Sequence, residues 1–97
     1  MDMATFERSL EDAATPDGLS KPLQALWQEA KGAWDEAHSL AQADKGADGA
    51  WVHAYLHRFE GDLRNAGYWY RRAGRPASEQ ALRHEWRAIA TALLAEN

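Results

Sequence analysis

His53 and His57 stand four residues apart in the tract Trp51-Val52-His53-Ala54-Tyr55-Leu56-His57-Arg58, and Glu60 follows one turn beyond. On a helix this spacing puts two imidazoles on one face, close enough to share a metal ion. Glu60 offers a carboxylate oxygen, and His38 or His84 could arrive from another helix as a further nitrogen ligand. A catalytic ion would also need an open fourth position. Ala54, not glutamate, follows His53, so the zinc-protease motif His-Glu-x-x-His is not formed. The competing role for these rings is a polar flank stacked on Trp51, Tyr55 or Trp69.

Other segments carry less chemistry. Asp44-Lys45-Gly46-Ala47-Asp48-Gly49 begins like a calcium loop, but Gly46 and Tyr55 occupy the third and twelfth places, where oxygen ligands are needed. It reads instead as a helix end, a turn and a new helix start. Asn65, Trp69 and Arg72 form a stripe on one helix, with Arg64, Arg71 and Arg75 adding charge beside Tyr68 and Trp69. Arginine interleaved with aromatics can hold a carboxylate or phosphate, stack on bases, or pair with acids of the same fold. The chain has no cysteine, which excludes disulfides, thiolate metal sites and thiol nucleophiles. No serine or lysine stands in a catalytic arrangement, and Asp35 and Glu36 are adjacent, hence splayed apart on a helix.

The elements that must position these residues are helices. Ninety-seven residues make one domain, because halves of that length could not each bury a core. Twenty alanines against one valine and one isoleucine favour helix over strand, and the chain reads as all-α with about five to six helices. Residues 1–18 form a short helix and turn, with Phe6 to Ala14 helical behind a Thr5 cap. Residues 19–46 form a first hairpin, capped by Ser20, turned at Gly32 and continued by Trp34, Ala37, Leu40 and Ala41. Residues 47–76 form a second, with Asp48 as cap, Gly61 as stop, Asp62 as the next cap, and Gly74 and Pro76 closing it. Residues 77–97 form a terminal amphipathic helix opened by Ser78, with Leu82, Trp86, Ile89 and Leu93 on its apolar stripe. Trp34, Trp86 and Trp27 fall on inward stripes, while Trp51 and Trp69 are assigned to a surface groove. Gly67, in mid-helix, is read as a close approach to Ala54.

The net charge of -4 is unevenly spread. Residues 1–50 hold four Lys/Arg against ten Asp/Glu, and residues 51–97 hold seven against five. An acidic chain lacks the basic face that counterion release requires, so nucleic acid is not the expected partner. The two halves are suited to attract each other within the fold or across a homodimer. No run of eighteen apolar residues occurs and Met1 to Leu10 lacks the regions of a signal peptide, so a cytoplasmic protein without a membrane partner is expected.

Gly32-Ala33-Trp34-Asp35-Glu36-Ala37 and Gly61-Asp62-Leu63-Arg64-Asn65-Ala66 form an internal repeat with a shift of 29 residues. Gly61-Asp62, Ala66, Tyr70 and Ala73, with Ala54 on the preceding helix, resemble the tetratricopeptide repeat, whose period is about 34 residues. The tract from Trp51 to Gly74 is also similar to a group of short bacterial proteins with no characterised activity. The first resemblance implies stacked antiparallel hairpins and a concave face lined by the first helix of each, here Asp48, Trp51, Tyr55, Arg58 and Phe59. It implies a module that binds a protein or peptide, or its own copy, rather than an enzyme. The partner-binding residues are then Trp51, Tyr55, Arg58, Asn65, Trp69 and Arg72, with no cofactor. The alternative is a small metal-binding protein or metal-dependent enzyme that uses His53, His57 and Glu60.

Overall fold

The computed structural model describes residues 1–96, which form six α-helices and, among the described residues, no strand. They are α1 (Met3–Arg8), α2 (Lys21–Ala30), α3 (Trp34–Ala43), α4 (Ala47–Phe59), α5 (Leu63–Ala73) and α6 (Leu82–Leu94). None of them is long and apolar enough to cross a membrane.

Local chemistry sets most of the boundaries. The Ser20 hydroxyl accepts from the Leu23 amide and the Asp62 carboxylate from the Asn65 amide, so α2 and α5 start at side-chain caps. Both hairpins turn in the same way. Gly32 and Gly61 take φ of 88° and 90°, values that glycine adopts without a Cβ penalty. Gly32 N–H donates to Glu29 and Ala33 N–H to Gln28; Gly61 and Asp62 repeat this on Arg58 and His57. The 29-residue shift therefore holds hydrogen bond for hydrogen bond.

Three starts differ from the sequence reading. Asp2, not Thr5, caps α1, which runs only to Arg8 before a 3-10 turn at Ser9–Glu11. Gly46, not Asp48, precedes α4, because the Asp44 carboxylate takes the Gly46 amide and turns the chain two residues earlier. Ser78 caps only the Gln80 amide in an irregular connector, and α6 starts at Leu82.

Helices α2 and α3 pack as one hairpin and α4 and α5 as a second, with α3 lying against α4. Helix α6 crosses back over α2 and α4, and α1 packs against it. The main core lies at that crossing. Trp86 stacks on Phe6 with centroids 5.6 Å apart and donates its indole N–H to the Leu26 carbonyl. Leu23, Leu26, Val52, Leu56 and Ile89 close around them, each fully buried. Every such aliphatic side chain contributes about 1.5–3 kcal/mol of transfer free energy.

A smaller cluster of Ala54, Ala66 and Tyr70 joins α4 to α5. Ala66, not Gly67, meets Ala54 there: a Cβ at Gly67 would touch only the flexible end of Arg71 at 3.5 Å. The close approach belongs to Gly49, where a Cβ would lie 2.3 Å from the Asp44 carbonyl oxygen. Of the tryptophans read as core, Trp86 and Trp27 are buried and Trp34 is half-buried.

Candidate metal centre

Helix α3 presents His38 to the face of α4 that carries His53 and His57. The His53 and His57 rings stack one turn apart at 4.9 Å, and His38 meets both edge-on, at 4.5 and 5.3 Å. One ring nitrogen from each residue lies within 4.8 Å of the other two. His38 Nε2 and His53 Nε2 are 2.9 Å apart, so one donates to the other when both rings are neutral. A tetrahedral zinc ion, with Zn–N of about 2.0–2.1 Å, separates its nitrogens by about 3.3 Å. That pair need open by only a few tenths of an ångström to seat one.

Glu60 does not join this triad as a ligand. Its Oε1 lies 2.7 Å from His57 Nδ1, a contact in which Nδ1–H donates to the carboxylate, so that a neutral His57 ring would offer Nε2 to a metal. Glu60 and Asp62 could also form an alternative set with His57, but both acids are exposed, whereas His53 and His57 are buried. His84 sits on the exposed side of α6, in a shallow pocket with Arg87 and Thr91, and is not part of the cluster.

Two indoles wall the site. Trp34 stacks on His38 at 5.0 Å, meets His57 edge-on, and donates to the Leu56 carbonyl. Trp69 lies nearly parallel to His53 with centroids 3.9 Å apart. Burial, together with the two neighbouring imidazoles, pushes the His53 pKa down to about 4. Burial and His57 also lower that of His38, against the pull of Glu60 and Asp35. Both rings are neutral near pH 7, the form that binds a metal.

Beside His53 opens a cleft of about 270 Å³, bounded by Trp69, Arg72, Gln42, Asp44 and Lys45. The Arg72 guanidinium lies over Trp69 at 5.4 Å and donates to the Tyr68 hydroxyl. Trp69 and Arg72 thus share this site with His53. Asn65 is half-buried on the same helix, its amide engaged by Asp62.

Trp51, Tyr55 and Arg58 lie apart from it, under and beside α6. Tyr55 is fully buried and donates to Glu29, itself paired with Arg83. Arg58 pairs with buried Glu85 at 2.8 Å and also donates to the Gln80 carbonyl. Tyr70 donates to the other oxygen of Glu85. Trp51 is half-buried beneath the Arg75 guanidinium, 3.8 Å away. Helix α6 therefore covers the face that α2 and α4 share. Sequence reasoning took Trp34 as core; the spacing of Trp34 and His38, four apart on α3, was the available sign that it walls the histidines.

No protein-family model, curated protein or solved structure matches this chain.

Proposed function

We propose that this protein binds one divalent transition-metal ion through His38, His53 and His57, at the seam between two hairpins stacked in the tetratricopeptide manner. The observation that supports it most is the convergence of one ring nitrogen from each of three histidines within 4.8 Å, with Glu60 hydrogen-bonded to Nδ1 of His57. Imidazole sets of this kind suit zinc, copper, nickel or iron more than magnesium or calcium. Three protein ligands leave a position free, as in sites that act on a ligand rather than closed structural ones. The shared 29-residue turn geometry supports the stacked-hairpin part of the reading.

Calorimetric titration of the metal-free protein with zinc tests this. One ion per chain is expected, lost in His53→Ala and His57→Ala. Glu60→Gln should weaken it by about 10- to 100-fold, the usual effect of an outer-shell partner. A folded protein that takes up no zinc would overturn the proposal.

A second reading, a protein-interaction or self-association module, is favoured by the outer face of α5. That helix packs chiefly on α4 and leaves Leu63, Tyr68, Arg64, Arg71 and Arg72 exposed. The acidic half of a second copy, or an acidic peptide in the cytoplasm, has the complementary charge. Sedimentation at low salt should then show a homodimer that Arg64→Glu with Arg71→Glu dissolves; a monomer at all concentrations would count against self-association.

A further inference from the structure

Resting on the three-histidine reading, we propose that the ion's free position takes a small oxyanion, a carboxylate or phosphate group, and that Arg72 grips this anion from the cleft beside His53.

The cleft offers such a ligand a way in. His53 is the member of the triad that lines it, while Trp34 stacks on His38 and meets the edge of His57. Three neutral imidazoles leave the full charge of a divalent ion uncompensated, so the free position favours a negative ligand. At about 270 Å³ the space suits a molecule of a few heavy atoms around its acid group.

The charges around the cleft point to the same ligand. Among the described residues Arg72 and Lys45 form no ion pair, although the chain as a whole is acidic. Arg72 is nevertheless held in place, its guanidinium over Trp69 and its Nη1 on the Tyr68 hydroxyl at 3.3 Å. Trp69 lies in turn against His53. Guanidinium and ligand imidazole are thus both held against the same indole, and both line the cleft. An arginine oriented in this way offers two parallel N–H donors to a carboxylate or phosphate.

Asp44 is the acid in the cleft, where the two cations Arg72 and Lys45 outnumber it. Its Oδ1 accepts from the Gly46 amide at 2.8 Å, which turns the carboxylate toward its own backbone. Gln42 adds a neutral amide that can donate to the same anion.

The test uses the full chain loaded with cobalt(II), whose visible spectrum reports its ligands, titrated separately with acetate and with inorganic phosphate. The expected result is a saturable spectral change with at least one of them, and which one produces it identifies the acid group. Arg72→Ala should keep one cobalt per chain and weaken the anion by about 10- to 100-fold, as loss of a charge-assisted contact does. Arg72→Lys should recover part of that loss. Arg72 is exposed, so these variants are expected to fold, which circular dichroism checks. Stoichiometric cobalt with a spectrum indifferent to both anions, or with equal affinity in Arg72→Ala, would overturn the oxyanion proposal and leave the metal reading intact. A folded protein that binds no cobalt would overturn both.

Discussion

At the residue scale, His53 shows how burial selects one protonation state. It is 3% exposed, with an indole on one face and two imidazoles beside it, so a proton on its ring has neither water nor a carboxylate to accept it. Its pKa falls from 6.5 to about 4. The unfolded chain therefore binds a proton that the folded chain refuses, and stability rises with pH. In metal-free protein this contribution is complete above pH 6.5 and is lost progressively as pH falls to 4. The loss is on the order of 3 kcal/mol, and His38 acts in the same direction. Urea midpoints between pH 7.5 and 4 should show this decline, and His53→Gln should flatten it. A wild-type midpoint that stays level over that range would mean the ring is not buried as described.

Arg58 illustrates the opposite outcome for a polar side chain. The sequence placed it on an open face; the structure binds it to Glu85, which is 3% exposed and also receives Tyr70. Removing one partner of a buried pair leaves the other charged without compensation, which typically costs about 3–5 kcal/mol. Arg58→Ala should therefore lower the melting temperature by more than about 10 °C while leaving zinc affinity unchanged. Equal stability in the variant would show that Glu85 finds other partners.

At the scale of elements, the helices and their order were legible because their signals are local. Ser20, Asp62, Gly32, Gly61 and Gly74 act through hydrogen bonds to residues within one turn, and each does what its type implies. The two glycines at the hairpin seams could not be ranked in the same way, since the contacts that distinguish them come from other segments. Gly67 has room for a side chain, whereas Gly49 faces the Asp44 carbonyl. Gly67→Ala should accordingly stabilise the protein by about 1 kcal/mol, the helix-propensity difference. Gly49→Ala should destabilise it, by about 1–3 kcal/mol as overpacking does. Thermal melts of the two variants should shift in opposite directions; the same direction in both would refute the assignment of the close approach.

For the whole molecule, the arrangement that creates the candidate site was only half visible in sequence. The spacing of His53 and His57 could be read directly, because both lie on α4. That His38 and not His84 completes the cluster depends on α3 lying against α4 and on α6 turning its exposed side away. The return of α6 over α2 and α4 was not legible either. Its apolar stripe specifies burial but not the surface it is buried against, and the irregular connector from Arg75 to Ala81 carries no directional signal. That return places Trp86 against Phe6 and closes the face on which Tyr55 and Arg58 lie. The seam of α3, α4 and α5, with Trp69 and Arg72 at its edge, is left accessible beside the histidines.

X-ray absorption of the zinc-loaded protein tests the central claim most directly, because it counts the ligands at the ion. The account predicts three imidazole nitrogens at about 2.0–2.1 Å and one light atom from water or an anion, reduced to two imidazoles in His38→Ala. A single imidazole among carboxylate oxygens would place the ion on His57, Glu60 and Asp62 instead, and would contradict it.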